Sequence, residues 1–197
     1  MPLNLPPITL ALLAACVAVY FGPQSYGDAI TEQFALWPFG PLFHIWQLLT
    51  YFFLHGGVQH LIFNMLGLVT FGSDLERLWG PRRYLSLILI STITAALLQQ
   101  AISYSSGAVF PTVGASGGIY GLLLAFALTF PNRIITLIFP PIPMKARTFA
   151  IVFGGIELFS GVTGAMPGVA NFAHLGGMLG ALILMQLWRL EDAEARR

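Results

Sequence analysis

The sequence predicts an all-α protein that crosses a membrane six times, with residues 1–197 forming a single helical domain. Hydrophobic residues make up 56% of the chain and charged residues only 9%, whereas a soluble domain carries about 25% charged residues. The mean hydropathy of +0.78 agrees. The basic residues also fall only in alternate connections between the apolar stretches. These observations exclude an ordinary soluble enzyme and a disordered chain.

Six apolar stretches are candidate spans, because each crossing needs about 20 mostly apolar residues. In chain order they are 8–21, 58–72, 84–104, 116–130, 148–161 and 169–188. Pro6 and Pro7 suit the start of the first helix, and Pro131 ends the fourth. Only the third and sixth stretches reach full spanning length.

The first stretch has an alternative interpretation as a signal peptide. Residues 13–16 (LAAC) resemble a lipoprotein cleavage box, but no Lys or Arg precedes them, as a signal peptide would require. We therefore expect a retained span. Cys16, the only cysteine, excludes an intrachain disulfide and a cysteine-based metal site.

The distribution of positive charge predicts the orientation. Basic residues gather in cytoplasmic segments next to spans. None occurs in the connections 22–57, 105–115 and 162–168. With six spans, all the others lie on one side, which places both termini in the cytoplasm. The basic residues are Arg77, Arg82, Arg83, Arg133, Lys145, Arg147, Arg189, Arg196 and Arg197.

The long connection 22–57 is rich in aromatic residues rather than polar ones. Aromatic side chains concentrate at the membrane–water interface, so we expect this first loop to lie there. The residues concerned are Phe34, Trp37, Phe39, Trp46, Tyr51, Phe52 and Phe53.

Polar residues inside apolar helices are costly in lipid and mark functional sites by default. His60 precedes Asp74 by 14 residues, Ser116 precedes Arg133 by 17, and His174 precedes Arg189 by 15. At 1.5 Å per residue, all three lie roughly 21–26 Å from the charged ends of their helices. They therefore share a depth in the outer half of the bilayer. The full set of such residues is His60, Asn64, Ser116, Tyr120, Glu157, Asn171 and His174.

The fourth stretch begins below the membrane surface. Residues 111–118 read PTVGASGG, which is poor in helix formers, and the apolar helix that follows covers only roughly 22 Å. Irregular backbone at this depth is tolerated only inside protein or beside a wet cavity. Ser116 therefore lies at a buried helix N-terminus, where free N–H groups favour an oxyanion.

The residues suggest nucleophilic catalysis. A serine hydroxyl needs a base to remove its proton, and His174 on another helix can supply one. No acid lies near His174 in sequence, so a dyad is simpler than a triad. His60 and Asn64 can donate to an oxyanion. Taken alone, a polar residue in a membrane helix more often makes an interhelical contact than takes part in catalysis. The shared depth of these residues nevertheless favours a functional site.

Three motifs then carry a resemblance to the rhomboid intramembrane serine proteases. Residues 114–121 (GASGGIYG) resemble the GxSG nucleophile motif, and residues 173–177 (AHLGG) resemble the catalytic-histidine motif. Residues 60–64 (HLIFN) match the HxxxN motif. The resemblance covers essentially the whole chain and implies the minimal six-helix rhomboid-like bundle.

The resemblance implies that Ser116 is the nucleophile and His174 the general base. Tyr120 would support the His174 ring, and the oxyanion site would comprise His60, Asn64 and the Ser116 N–H. Members of the family cleave transmembrane segments of other membrane proteins. The resemblance implies no metal and no organic cofactor. We accordingly expect a multi-pass protein of the bacterial inner membrane that acts on transmembrane substrates in the lipid bilayer.

Two glycines support this assignment. The resemblance places Gly114 where the family's loop runs close to the substrate. Gly177, on the face of His174, lets a neighbouring helix approach closely. One departure is Gln47 after Trp46, where the family often has arginine, so anchoring of the first loop differs. Another is Ala181, where the family often has glycine.

Two further polar residues have open roles. His55 is either a support of the catalytic pocket or, as we favour, an interfacial histidine. Glu157 lies roughly 15 Å deep in the fifth stretch. An acid at that depth should be hydrogen-bonded, protonated or facing water. We expect it to hold its helix to a neighbour and to affect a substrate gate.

Two other functions compete with a protease. A proteolytically inactive relative would bind membrane-protein clients, but such relatives usually lack the serine or the histidine. A small transporter would show inverted repeats or a chain of intramembrane charges, and only Glu157 is present. A net charge of +1 does not indicate the basic surface of a nucleic-acid-binding protein. His60 and His174 form no compact pair on one helix, so we expect no metal site.

Overall fold

The fold is mostly helical. A computed structural model describes residues 4–23, 27–136, 140–166 and 168–195; Arg196 and Arg197, counted above in the basic tail, lie outside them. The elements in these ranges are α1 (Pro7–Phe21), α2 (Asp28–Phe34), α3 (Gln47–Thr50), α4 (Val58–Gly67), α5 (Ser73–Ser106), α6 (Ser116–Thr129), β1 (Ile134–Thr136), β2 (Pro143–Lys145), α7 (Ala146–Thr163) and α8 (Asn171–Glu194).

Two helical stretches of the described chain are long and apolar enough to cross a membrane. They are Val58–Ser106 and Ala146–Thr163, while α1 and α6 are apolar but shorter. The first stretch contains both the second and the third predicted spans. Six spans therefore remain a prediction, although a helix occupies each of the six predicted positions.

The chain reverses direction inside α5 at Gly80. This residue has φ 76° and ψ 171°, which no helix adopts, and Pro81 follows it. The Tyr84 ring packs against Gly72, twelve residues earlier. In a straight helix these residues would be roughly 18 Å apart. The two arms of α5 therefore run side by side and form a hairpin.

The second helical segment is longer than the sequence predicts. We placed its end at Gly72, where the apolar residues stop. The structure instead continues α4 through a π-helical turn, Leu68–Gly72, into the first arm of α5. Helical hydrogen bonding depends on the backbone and not on apolarity, so charged residues such as Asp74 and Arg77 extend the helix past its apolar part.

A buried carboxylate joins α1 to α5. Glu76 accepts hydrogen bonds from the backbone N–H groups of Ile8, at 2.8 Å, and Thr9, at 2.7 Å. The Thr9 hydroxyl donates to the same carboxylate at 2.8 Å and is 3.0 Å from the Tyr84 hydroxyl. The first N–H groups of a helix have no helical acceptor. Glu76 therefore caps α1 and complements its dipole.

Ion pairs gather the predicted cytoplasmic connections at one end of the bundle. Asp74 at the start of α5 pairs with Arg133, which follows α6. Arg83 in the second arm of α5 pairs with Asp192 near the end of α8, at 2.6 Å. Between α6 and α7 the strands β1 and β2 form an antiparallel ribbon. Three-residue strands carry too short an alternating pattern to be predicted from sequence.

The first loop holds the segment that leads into α6. Leu36 and Thr112 exchange two backbone hydrogen bonds, of 3.0 and 2.9 Å. The N–H of Gly114 donates to the carbonyl oxygen of Tyr51 at 2.9 Å. Because these contacts lie two to four residues before Ser116, they fix the start of α6.

Gln47, which replaces the family's common arginine, is fully buried. Its amide nitrogen, Nε2, donates to the carbonyl oxygens of Gln33, at 3.2 Å, and Leu42, at 2.9 Å. Its Oε1 accepts from the N–H of Trp37 at 3.2 Å. The neutral side chain therefore anchors the loop internally.

We expect Glu76→Gln to lower the thermal midpoint in detergent. An amide cannot accept at both positions, so one buried donor at the start of α1 loses its partner, at a cost of about 1–3 kcal/mol. Glu32→Gln on the exposed surface of α2 is the matched control and should leave the midpoint unchanged. Equal midpoints for all three proteins would contradict the capping role.

Candidate active site

Ser116 and His174 meet at the interface of α6 and α8. The Ser116 Oγ and the His174 Nε2 are 2.7 Å apart, which is hydrogen-bonding distance. Ser116 is the first residue of α6 and His174 lies in the first turn of α8. Both predicted residues therefore lie at helix N-termini, and the serine hydroxyl can pass its proton directly to the imidazole.

This distance depends on glycines that allow the two helices to touch. A Cβ on Gly177 would overlap the carbonyl oxygen of Gly117. A Cβ on Gly121 would lie 2.9 Å from the carbonyl oxygen of Gly177. The backbones of α6 and α8 are thus in direct contact one turn beyond the Ser116–His174 pair. Gly177 takes the close-approach position for which it was predicted.

Tyr120 fixes the plane of the histidine ring. The two rings are stacked, with centroids 4.3 Å apart and planes within 4°. Tyr120 follows Ser116 by one helical turn and so lies on the same face. The structure therefore places the tyrosine where the sequence predicted a support for the His174 ring.

An acid lies beside His174 in the structure, although none is near it in sequence. The Oε2 of Glu157 lies 2.9 Å from the His174 Nδ1. The contact has the distance of an ion pair, but the oxygen lies off the direction of an Nδ1–H bond, so it is not a well-aligned hydrogen bond. Sixteen residues lie between the two in sequence, but α7 packs against both α6 and α8, and this packing decides the distance.

The Glu157 carboxylate is held from both sides. The Tyr120 hydroxyl donates to its Oε1, and the Asn171 Nδ2 donates to its Oε2 at 2.6 Å. Glu157 is only 5% exposed. The predicted link between its helix and a neighbour is therefore present, with partners on both α6 and α8. A role in gating remains a prediction.

From the sequence, Asn171 was one of the polar residues inside apolar helices, but no role was predicted for it. It lies one turn before His174 on the same face of α8, and that spacing was the available signal. Its partner is on another helix, so spacing alone did not indicate that it would bind Glu157.

His60 and Ser116 line one cavity of 480 Å³, together with Asn64 and Tyr120. The N–H of Gly56 donates to the His60 Nδ1 at 3.3 Å. Because Nδ1 is the acceptor, the neutral ring carries its proton on Nε2. His60 can therefore donate a hydrogen bond from Nε2 into the cavity.

Asn64 lines the same cavity but is partly engaged by its own helix. Its Nδ2 donates to the backbone oxygen of His60 at 2.8 Å. An amide nitrogen carries two protons, so one remains for a ligand in the cavity. The backbone N–H of Ser116 is a third donor, because the first residues of a helix lack a helical acceptor.

Gly114 lies between His60 and Ser116. Its φ of 123° is in the region that favours glycine. A Cβ there would lie 2.7 Å from the His60 Nε2 and 3.7 Å from the Ser116 Oγ. Any side chain at position 114 would therefore occupy the space between the proposed nucleophile and the proposed oxyanion donor.

His55 is not the interfacial residue that we favoured from the sequence. It is fully buried, and its ring packs edge-on to that of His60, with centroids 5.2 Å apart. Burial lowers the pKa of His55 to about 4, the positive charge of His60 acts in the same direction, and a hydrogen bond with the Phe53 carbonyl opposes both. A neutral His55 thus packs behind the cavity.

An apolar groove of 410 Å³ continues from the cavity along α4, α6 and α7. Phe63, Ile119 and Tyr120 line both spaces. The largely apolar groove therefore adjoins the cavity that Ser116 lines.

Residues 42–190 match the sequence profile of the family described as the Rhomboid domain. The chain is 31% identical over 119 residues to the Rhomboid protease GlpG of Salmonella typhi, covering 59% of this chain and 41% of the relative. It is 29% identical over 188 residues to the Rhomboid protease GlpG of Yersinia pestis, covering 92% of this chain and 62% of the relative. The chain thus spans less than two thirds of these curated relatives.

We expect Gly177→Ala to destabilise the protein, because its methyl group would force α8 away from α6. Overpacking of this kind costs about 3 kcal/mol, and the thermal midpoint in detergent should fall. Gly155→Ala on α7 is the matched control, since nothing lies within 4 Å of a Cβ there. A midpoint as high for Gly177→Ala as for Gly155→Ala would contradict the close packing.

Proposed function

Because the chain belongs to the rhomboid family, we propose that it is an intramembrane serine endopeptidase in which Ser116 is the nucleophile and His174 the general base. The observation that carries the proposal is the 2.7 Å approach of Ser116 Oγ to His174 Nε2 beside a cavity lined by donor groups. A nucleophile within hydrogen-bonding reach of its base is the signature of covalent catalysis.

The reaction is acyl transfer. Ser116 Oγ attacks the carbonyl carbon of the scissile peptide bond while its proton moves to His174 Nε2. The tetrahedral intermediate collapses, the C–N bond breaks, and His174 returns the proton to the leaving amine. A water molecule, deprotonated by the same histidine, then hydrolyses the serine ester and releases the second product.

Three donors support stabilisation of the oxyanion. The His60 Nε2–H, the second Nδ2 proton of Asn64 and the Ser116 N–H all border the cavity. Donors of this kind act on charge that develops only in the transition state. They would therefore raise the rate of the chemical step more than the binding of the substrate.

The apolar groove supports a membrane-protein substrate. A segment that enters from lipid must be apolar, and the groove beside Phe63 and Phe153 is lined mainly by apolar side chains. For cleavage, such a segment must unwind near the scissile bond, because a helix buries its carbonyl groups in intrahelical hydrogen bonds. The proposed substrates are accordingly transmembrane segments of other proteins.

The proposed setting is the bacterial inner membrane, with six spans and both termini in the cytoplasm. The relatives come from bacteria, and the ion pairs Asp74–Arg133 and Arg83–Asp192 gather charged connections at one end of the bundle. Segregated positive charge on one side supports that orientation.

The alternative is an inactive relative that binds membrane-protein clients. The same apolar groove would serve a client segment, so the two functions differ only at the serine. They are distinguished by whether Ser116 reacts.

We expect a fluorescent fluorophosphonate to label the wild-type protein in detergent. Ser116→Ala removes the nucleophile and His174→Ala removes the base, so both variants should lose labelling and cleavage of a transmembrane substrate. Serine and alanine differ little in volume, and an unchanged thermal midpoint for Ser116→Ala would establish that its loss is chemical. A well-folded wild type that reacts neither with this probe nor with a small isocoumarin would favour client binding.

We expect Asn64→Ala to lower kcat about 100-fold with little change in KM, as loss of an oxyanion donor does. Gln59→Ala, at an exposed position of the same helix, is the matched control and should retain wild-type kcat. Cleavage of a transmembrane peptide in detergent measures both constants. A rise in KM at constant kcat would instead assign Asn64 to substrate binding.

A further inference from the structure

We propose that Glu157 is a positioning residue for His174, so that the site operates as a Ser116–His174–Glu157 triad. This inference rests on the proposed function and deepens it. The three groups come from three helices, α6, α8 and α7, and the acid acts through the histidine without touching the substrate.

The geometry has the order that a triad requires. Ser116 Oγ lies 2.7 Å from one ring nitrogen of His174, and Glu157 Oε2 lies 2.9 Å from the other. The acid is thus on the side of the ring opposite to the nucleophile. In serine hydrolases an acid in this place orients the imidazole and stabilises the imidazolium without taking its proton.

The hydrogen bonds of Glu157 favour a carboxylate over a carboxylic acid. Tyr120 donates to one oxygen and Asn171 donates to the other, so both oxygens act as acceptors. Within the described residues Glu157 has no ion pair with Lys or Arg. A buried charge requires a partner, and the imidazolium that forms when His174 takes the serine proton supplies it.

The contacts of the His174 ring indicate different roles for Tyr120 and Glu157. Stacking on Tyr120 fixes its plane, while the off-axis position of Oε2 leaves a contact that is mainly electrostatic. Since Tyr120 also donates to the carboxylate, one residue holds both ring and acid. Glu157 therefore supplies negative charge at a fixed distance, and the Nδ1 proton stays on His174 throughout the reaction.

Few other titratable groups face this ring. Tyr120 on α6 and Glu157 on α7 contact it, and His60 of α4 lines the same cavity as His174. The α5 residues that meet the glycines of α8 are Thr94, Ala95 and Leu98, which carry no titratable group. A change at Glu157 is therefore a change in the one negative charge beside the ring.

The test compares wild type, Glu157→Gln and Glu157→Asp by the rate of fluorophosphonate labelling and by kcat and KM for a transmembrane peptide. In Glu157→Gln we expect both the labelling rate and kcat to fall by about 100-fold or more, because loss of the acid of a triad removes orientation and charge. KM should change little. Glu157→Asp keeps the charge and should recover part of the rate.

The pH dependence of kcat/KM separates a charge effect from a structural one. Removing a carboxylate makes the imidazolium less stable, so the histidine stays neutral to lower pH. The acidic limb of the profile should therefore move to lower pH in Glu157→Gln, while the plateau falls. A loss of packing alone would reduce the amount of folded protein without moving the limb.

Glu76→Gln is the matched control, because Glu76 is the other buried glutamate in a helix of the described chain and lies outside the site. It should lower the thermal midpoint and leave the acidic limb and kcat of the folded protein unchanged. Should Glu157→Gln fail to fold, Asn171→Ala takes its place, since it frees the carboxylate from one donor and keeps its charge. We expect a lower labelling rate for that variant.

Labelling of Glu157→Gln, or of Asn171→Ala in its place, at the wild-type rate with an unmoved acidic limb would overturn the triad and leave a Ser116–His174 dyad. That outcome is distinct from failure of the proposed function, in which the wild type itself would not be labelled.

Discussion

The direct contact between the backbones of α6 and α8 is the constraint on which the rest of the site depends. A Cβ at Gly177 would overlap the carbonyl oxygen of Gly117, and one at Gly121 would lie 2.9 Å from that of Gly177. In lipid there is little hydrophobic force between helices, so association depends on packing of this kind and on polar contacts. The contact brings Ser116 and His174 to 2.7 Å. Any increase in the separation of α6 and α8 would lengthen the distance between Ser116 and His174.

The polar side chains around His174 form one connected set of contacts. Ser116 contacts His174, His174 contacts Glu157, and Glu157 accepts from Tyr120 and Asn171. Each buried polar group in lipid must find a partner inside the protein. The same requirement that stabilises the bundle therefore also orders Ser116 and His174, and α6, α7 and α8 are tied together around the His174 ring.

The rim of the cavity has a different construction. The first loop, rather than a spanning helix, holds the entry to α6 through Leu36 and Tyr51, and the buried Gln47 anchors that loop internally. Gly114 keeps the space between His60 and Ser116 open. Helices thus carry Ser116 and His174, while a loop anchored by backbone hydrogen bonds shapes the cavity beside them.

The sequence alone predicted the helical class, the positions of six apolar helices and a common depth for Ser116, His174 and His60, because hydropathy and depth are properties of single helices. It misplaced His55 and the end of the second segment, and it missed the acid beside His174. Burial of His55 and the approach of Glu157 depend on which helix packs against which. The sixteen residues of chain between Glu157 and His174 carry no information about distance across a helix interface. Only the tertiary structure decided that α7 brings a carboxylate to the far side of the histidine ring.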